Sequence, residues 1–332
     1  MNEILRHLKK TSRVLVASHV NPDGDAVGSL VAVGMLLEAM GKRAILFNES
    51  PIPAVYRFLP RVDRIRRRVP ASEEYDTAVV LDCGDLARTG ETGVAAVARA
   101  GTVVNVDHHV TNTGFGHLRL IDIGACATAE LVYRLATASG LLVDRDMATA
   151  IYTGIFTDTG SFRFANTNRA AFAICHEMVA RGAEPYRVAE RVYGSYSLGR
   201  IKLLNLALDS LWISPDGRWS FMVVTREMFA ETGTRPEDVD GMIHYAKRIR
   251  DVQVATLIQE SPGRPDAPDG TRTLHASLRS DGAVDVSALA TVFGGGGHPR
   301  AAGFSASGSA EALKTAVLDW LEERGARRNY GT

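Results

Sequence analysis

The chain has few cysteines, and their placement excludes a disulfide framework. Only three occur in 332 residues, at Cys83, Cys126 and Cys175, and none belongs to a CxxC pair. An odd number of widely spaced thiols is not the pattern of a stapled secreted domain or of a cysteine-rich zinc site. We therefore expect three buried, free thiols in a reducing compartment.

Long hydrophobic runs and an excess of one charge are also missing. No stretch approaches the roughly 18 apolar residues that cross a bilayer, and the N-terminal segment lacks the apolar core of a signal peptide. Lysine plus arginine and aspartate plus glutamate number 38 each, which argues against a long electrostatic footprint on duplex DNA. These absences predict a cytoplasmic protein that binds neither membranes nor duplex DNA, while a local basic pocket for a small anion remains compatible with them.

What the first half does contain is an alternation of short β-branched runs with helical stretches. The runs at 13–20, 43–50, 77–85 and 102–109 indicate strands, and a helical pattern covers 28–40. Such alternation predicts an α/β domain with a parallel sheet and helical crossovers. Three of the four runs end in aspartate or histidine, and open α/β sheets bind ligands at the carboxyl ends of their strands.

The second half predicts a smaller α/β domain with a mixed sheet. Its elements are strands at 218–225, 251–260 and 271–280, a short helix from Asp285, the segment GGGGHPRAAGF (294–304) and a helix at 310–323. The stretch 191–211 indicates a connecting helix. The expected organisation is a domain over 1–190, this helix, and a domain over 212–332, with a cleft between the two domains.

Aspartate and histidine residues gather at loop positions of the first half. The segments SHVNPDGDAVGS, VVLDCGD, NVDHHV and TDTGSF carry His19, Asp23, Asp25, Asp82, Asp107, His108, His109 and Asp158. Each segment alone has an ordinary explanation. Aspartates of a DxD sequence in a loop with glycine and proline commonly stabilise a turn, and an aspartate after a strand is often a helix cap. Together they predict a site for manganese or a similar divalent ion. Two such ions roughly 3.5–4 Å apart can clamp a phosphoryl group and activate water.

The order HxxxDxD, Asp, DHH and DTG resembles the DHH phosphoesterase superfamily. That group includes RecJ-type nucleases, family II inorganic pyrophosphatases, exopolyphosphatases and the oligoribonuclease/pAp phosphatase group. The resemblance implies one metal ion on His19, Asp23 and Asp82. It implies a second ion on Asp25, Asp82, His108 and Asp158, so that Asp82 bridges the two.

The resemblance also implies roles for the two remaining residues of the pattern. His109 would face the scissile phosphate and stabilise developing charge, and Asp107 would orient its neighbours. No ligand position is missing from the sequence, which argues against a degenerate, non-catalytic member.

The glycine-rich segment resembles part of the DHH-associated C-terminal domain. Four glycines allow main-chain N–H groups to approach an anion closely, and the apolar residues on both sides favour a packed turn over a flexible linker. The implied substrate contacts are Arg279, Ser280, Gly296, Gly297, His298 and Arg300. Arginine suits this role because its guanidinium grips phosphate with two hydrogen bonds.

Two other basic features remain open to more than one interpretation. Arg163, shortly after Asp158, either contacts substrate or forms a structural salt bridge. The run RVDRIRRRV (61–69) indicates a solvated helix face, which could also steer an anionic substrate.

The resemblance implies hydrolysis of short oligoribonucleotides and of 3′-phosphoadenosine 5′-phosphate (pAp), with linear or cyclic dinucleotides as a close variant. An inorganic pyrophosphatase fits the metal pattern but not the glycine-rich segment. A RecJ-type exonuclease would be expected to carry a further nucleic-acid-binding domain. A nucleotide sensor without turnover is disfavoured by the complete ligand set. The expected partners are small nucleotides or short single-stranded RNA, and a homodimer is compatible with the family.

Overall fold

A computed structural model describes residues 1–194, 196–261 and 272–328, with side chains described as far as residue 323. The chain divides into two compact units, Met1–Ser195 and Tyr196–Thr332. The stretch 191–211 holds the end of one helix and the whole of another, instead of the single connecting helix expected. Within the described residues, no helix combines the length and hydropathy that crossing a membrane requires. The three cysteines are free and buried, as predicted.

The first unit is built on a five-stranded sheet of order β2-β1-β3-β4-β5, in which every neighbouring pair is parallel. The strands are β1 (Arg13–Ser18), β2 (Arg43–Phe47), β3 (Thr77–Leu81), β4 (Thr102–Asp107) and β5 (Leu118–Ile121). The predicted parallel sheet is therefore confirmed. Only β5 was not predicted, because an edge strand of four residues is too short to display a period.

Helices surround this sheet. They are α1 (Asn2–Lys10), α2 (Gly24–Ala39), α3 (Glu91–Val97), α4 (Thr128–Ser139), α5 (Arg145–Asp158), α6 (Arg169–Ala180) and α7 (Pro185–Tyr193). The first helix predicted, over 28–40, begins four residues earlier. The reason is that the Asp23 carboxylate caps it, accepting hydrogen bonds from the N–H groups of Asp25 and Ala26, both at 3.0 Å.

Helices α2 and α5 approach closely because glycines lie at their contact. A Cβ atom on Gly28 would lie 2.5 Å from the carbonyl oxygen of Ala150, and one on Gly154 would lie 2.8 Å from Asp25 Oδ1. No larger residue fits at either position without a shift of the main chain. The contact brings Asp25, in the first turn of α2, into the same region as the end of α5.

The basic run at 61–69 is not the solvated helix expected. Within it the structure has one 3₁₀ turn, Val62–Arg64. Arg61 and Arg64 both pair with Glu38 on α2, so these arginines are held by an acidic residue distant in sequence and not by helical neighbours.

The second unit contains a six-stranded mixed sheet of order β10-β11-β9-β8-β7-β6. Its strands are β6 (Trp212–Ile213), β7 (Trp219–Val224), β8 (Val254–Glu260), β9 (Arg272–Ser280), β10 (Gly296–His298) and β11 (Ala301–Gly308). The pair β7–β8 is parallel and the other pairs are antiparallel. This confirms the predicted mixed sheet, although β6, β10 and β11 were not expected.

Helices of the second unit pack against that sheet. They are α8 (Leu198–Asp209), α9 (Arg226–Thr232), α10 (Ile243–Lys247), α11 (Val286–Val292) and α12 (Ala310–Arg328). The short helix predicted from Asp285 is α11, and Asp285 caps it by accepting a hydrogen bond from the Ser287 N–H at 2.9 Å.

Candidate metal centre

Three neighbouring strands of the first unit lead into the acidic and histidine side chains. His19 follows β1, Asp82 follows β3, and Asp107 is the last residue of β4. These strands are adjacent and parallel, so their carboxyl ends meet at one edge of the sheet. Asp82 has a φ of 55°, a left-handed conformation that costs free energy for a residue other than glycine. Strain of this kind clusters at functional sites.

The Asp82 carboxylate lies between two imidazole rings. Its Oδ2 atom is 3.6 Å from His19 Nε2, and its Oδ1 atom is 3.7 Å from His108 Nε2. Asp82 is buried between the two rings, with only 2% of its surface exposed. Each oxygen therefore faces a different group of potential ligands.

The candidate ligands fall into two sets that share Asp82. His19, Asp23 and Asp82 form one set, and Asp25, Asp82 and His108 form the other, with the ligand atoms of each set within 4.8 Å of one another. Asp158, the last residue of α5, has Oδ2 at 3.6 Å from His108 Nε2, which places it beside the second set.

Both imidazoles present the same nitrogen to the carboxylates. His19 Nδ1 is 2.9 Å from the carbonyl oxygen of Val20, and His108 Nδ1 is 3.2 Å from that of Ala125. A carbonyl oxygen can only accept a hydrogen bond, so Nδ1 carries the proton in each ring. Nε2 is then the nitrogen available to a metal ion, and the main-chain acceptor fixes each ring in the orientation needed.

His109 is held differently from His108. Its Nδ1 donates to Asp107 Oδ1 at 2.7 Å, while Asp107 Oδ2 accepts from Asn112 Nδ2 at 2.6 Å. Burial disfavours the ionised carboxyl, but the hydrogen bond and charge of His109 hold the pKa of Asp107 below its usual range. Although Asp82, Asp107 and His109 also lie close together, Nδ1 of His109 is occupied by Asp107. This nitrogen is therefore not available to a metal ion.

The concentration of carboxylates fits a divalent cation. Burial, with repulsion from Asp82 and Asp158, raises the pKa of Asp25 well above its usual range. Burial likewise raises the pKa of Asp158 to about 6. Burial opposes protonation of His108, but the carboxylates around it outweigh this and raise its pKa to about 9. Carboxylate oxygens and imidazole nitrogens gathered in this way could hold a divalent metal ion, whose charge would offset the repulsion between the buried carboxylates.

The candidate ligands are held by residues that the sequence did not single out. Thr128 Oγ1 donates to Asp82 Oδ1 at 2.9 Å, and the Thr128 N–H donates to Asp25 Oδ2 at 2.6 Å. Asn166 Nδ2 donates to Asp158 Oδ2 at 3.0 Å. Thr128 begins a helix and Asn166 lies in a loop, positions where these residue types are ordinary, so no sequence signal marks them.

In the second unit, Arg279 and His298 share one face of the sheet. Arg279 on β9 pairs with Ala301 on β11, and Ala301 pairs with His298 on β10. Directly opposed residues of antiparallel strands project to the same face. The side chain between Arg279 and His298 is that of Ala301, which is only a methyl group. The register therefore brings together two of the predicted substrate contacts.

The glycine-rich segment is packed and not a flexible linker. Gly296 and Gly297 belong to β10, and Gly297 has a φ of 142°. A Cβ on Gly297 would lie 2.5 Å from the carbonyl oxygen of Ala301. Glycine is therefore required for β10 to pair with β11. The segment is packed, as predicted, but Gly296 and Gly297 form an edge strand instead of the turn expected.

Ser280, another predicted substrate contact, is hydrogen-bonded within the turn that follows β9. Ser280 projects to the face opposite Arg279, and its Oγ accepts from the Gly282 N–H at 3.0 Å. The Ser280 N–H donates to the carbonyl oxygen of Arg300 at 2.9 Å. Arg163 is exposed in the loop after α5.

The Arg163 guanidinium donates from Nε to the carbonyl oxygen of Gly160 at 2.5 Å. This bond satisfies a carbonyl just beyond the end of α5. It is not the salt bridge that the sequence left open, and a substrate contact by Arg163 remains a prediction.

Comparison with known proteins agrees with these two units. The profile described as "DHH family, N-terminal domain" matches residues 13–155, and the one described as "DHHA1 domain" matches residues 220–323. The chain is also 30% identical over 321 residues to the bifunctional oligoribonuclease and PAP phosphatase NrnA of Thermus thermophilus, covering 96% of this chain and 91% of that protein. The chain belongs to the DHH family.

Two further similarities extend over nearly the whole DHH protein. NrnA of Bacillus subtilis is 24% identical over 307 residues, covering 91% of this chain and 92% of the relative. The crystal structure of an exopolyphosphatase-related protein from Bacteroides fragilis superposes with a TM-score of 0.84 at 25% identity, covering 97% and 95% of the two chains. The resemblance inferred from the motifs and the α/β fold are thus confirmed.

The raised pKa values predict that this DHH centre binds divalent ions more tightly as pH rises. His108, with a pKa of about 9, and Asp158, with a pKa of about 6, must lose their protons before they can act as ligands. Affinity for Mn²⁺ should therefore increase from about pH 6 to about pH 9. Calorimetric titration in two buffers of different ionisation enthalpy should detect released protons, and an affinity independent of pH would contradict the assignment.

Proposed function

We propose that this chain is a manganese-dependent phosphoesterase that hydrolyses short oligoribonucleotides and pAp, with dinucleotides among its substrates. The observation that carries the proposal is the position of Asp82, whose Oδ2 faces His19 and whose Oδ1 faces His108. A carboxylate between two ligand sets is what a two-metal phosphoryl site needs.

The choice of substrate is supported by the relatives. The proteins from Thermus thermophilus and Bacillus subtilis are both named bifunctional oligoribonuclease and PAP phosphatase, and each alignment covers at least 91% of this chain and of the relative. The similarity therefore includes both the acidic unit and the unit with the glycine-rich segment. We infer the same substrate class for this chain.

Six residues would hold the ions. They are His19, Asp23 and Asp82 for one ion, and Asp25, Asp82, His108 and Asp158 for the other. When bound, the ions would polarise a phosphoryl oxygen and lower the pKa of a water molecule at the site.

His109 and Asp107 act on the substrate side of this centre in our proposal. Asp107 orients the His109 ring and balances positive charge on it. The ring would then stabilise negative charge that develops on the phosphoryl group, as preorganised donors do in phosphoryl and acyl transfer.

In the second unit, Arg279 and His298 are proposed to bind a substrate phosphate or base remote from the scissile bond. Their shared sheet face suits an anion, because a guanidinium and an imidazole project from it together. Gly296 and Gly297 also remain proposed contacts. Ser280, Arg300 and Arg163 remain proposed contacts.

A substrate panel tests the proposed function. Purified protein with Mn²⁺ should release nucleotides from two- to five-residue RNA and phosphate from pAp, and pyrophosphate should be a poor substrate. The Asp82→Ala variant serves as the blank, since it removes the shared ligand and should bind far fewer ions. Preferred turnover of pyrophosphate, or no turnover of any phosphoester by a metal-loaded sample, would overturn the proposal.

Variants of the adjacent residues His108 and His109 distinguish metal binding from stabilisation of charge on the substrate. His109→Ala should retain both ions but lose turnover about 100–1,000-fold, because it removes a donor to developing charge. His108→Ala should lose an ion, because its Nε2 faces the second ligand set. Metal content and kcat are measured on both, and equal metal loss in the two variants would show that the roles are wrongly divided.

Arg279→Ala and His298→Ala test the second unit. Each should lower activity on pAp and dinucleotides about 10–1,000-fold, since contacts remote from the reacting bond orient it. Both variants should keep their metal ions and lose much less activity on bis-(p-nitrophenyl) phosphate, which lacks a remote phosphate or base. Equal loss on both substrates would mean that these residues shape the metal centre instead, and no loss would remove their substrate role.

A further inference from the structure

The loop that follows α5 is strained where it turns back toward the metal centre. Gly160, Ser161 and Phe162 have consecutive φ values of 55°, 60° and 63°. The left-handed region costs free energy for serine and more for a bulky phenylalanine. Part of that cost is offset by packing, because the Phe162 ring stacks on Phe172 with a centroid separation of 5.1 Å. The turn lets residues just beyond it reach the end of α5.

Asn166 is the residue that makes this contact. Its Nδ2 atom lies 3.0 Å from Asp158 Oδ2, 3.1 Å from the Asp158 carbonyl oxygen and 2.8 Å from the Cys126 carbonyl oxygen. All three neighbours are acceptors, so the amide nitrogen and not the amide oxygen must face them. The amide therefore ties Asp158 to the segment that leads into α4.

The position of Asp158 makes such a donor necessary. Asp158 ends α5, where the helix dipole disfavours a negative charge. The oxygen that accepts from Asn166 is Oδ2, the same atom that lies 3.6 Å from His108 Nε2. A carboxylate fixed in this way keeps its remaining lone pairs pointing in a set direction.

The Cys126 end of the Asn166 contact is also connected to the metal centre. Cys126, whose carbonyl oxygen accepts from Asn166, lies two residues before Thr128. Thr128 in turn donates to both Asp25 and Asp82. One amide thus couples the ligand on α5 to the segment that orients the other two carboxylates of the same set.

We propose that Asn166 is a positioning residue of the metal centre, which holds Asp158 in the orientation that binds one of the two ions. This inference rests on the proposed function, because it requires an ion on Asp25, Asp82, His108 and Asp158. The competing explanation is that Asn166 only anchors the loop.

Asn168 provides a matched control in the same loop. Its Oδ1 accepts from the Ala171 N–H at 2.9 Å, which caps α6, and its Nδ2 donates to the Gly124 carbonyl oxygen at 3.2 Å. Replacing Asn168 also removes hydrogen bonds that anchor the loop, but none of these bonds is to Asp158.

The test is a calorimetric titration of metal-free protein with Mn²⁺ alone. Asn166→Leu, which keeps the side-chain size but removes the donor, should weaken one of the two ions about 10–100-fold and leave the other unchanged. Its hydrolytic activity should recover in excess Mn²⁺. Asn168→Ala should lower the thermal unfolding temperature and bind both ions like the wild type. If Asn166→Leu does not fold, Asn166→Ala makes the same test with a smaller side chain.

Two results would overturn the positioning role. One is unchanged affinity for both ions in the Asn166 variant, and the other is an equal loss in the Asn168 variant, which would reveal a general effect of the loop. Wild-type protein that binds no Mn²⁺ would be a failure of the proposed function itself, and the inference would fall with it.

Discussion

The buried carboxylate of Asp82 is the feature around which the first unit is organised. A carboxylate with so little exposure is costly unless donors and positive charge surround it. Its place at the end of β3, between β1 and β4, allows His19 and His108 to reach it from the two neighbouring strands. No edge strand could be approached from both sides in this way. The parallel sheet therefore supplies the geometry that a shared ligand requires.

Helices complete the centre from the other direction, and this explains why small residues lie where α2 and α5 meet. Asp25 and Asp158 are carried on these two helices, so their separation depends on how closely the helices pack. A Cβ on Gly28 would meet the main chain of α5, and one on Gly154 would meet the side chains of Ala129 and Asp25, so a larger residue at either position would push these elements apart. Thr128, at the start of α4, then binds the carboxylate brought in by α2 and also that of Asp82. The close packing of α2 against α5 therefore also sets the positions of the candidate ligands Asp25 and Asp158.

The candidate sites of the two units differ in the charge of their side chains. The first gathers carboxylates and imidazoles at one sheet edge, whereas the second places Arg279 and His298 on one sheet face, separated by Ala301. This separation is local, because basic and acidic residues nearly balance within each unit as they do over the whole chain. In the proposed function, the acidic cluster would hold the metal ions, and the two basic side chains on β9 and β10 would bind a second phosphate or a base of the substrate.

The sequence by itself determined the strand–helix alternation, the parallel and mixed sheets, the family and the candidate ligands, because hydrophobic periodicity and the DHH motifs are local patterns. It did not identify Thr128, Asn112 or Asn166, whose residue types are ordinary at a helix start or in a loop. It assigned Arg279 and Ser280 together to the substrate phosphate, although adjacent residues of a strand project to opposite faces. Which of the two shares a face with His298 depends on the register between the strands. Only the tertiary structure decided these points, because hydrogen bonds between residues distant in the chain leave no periodic trace in the sequence.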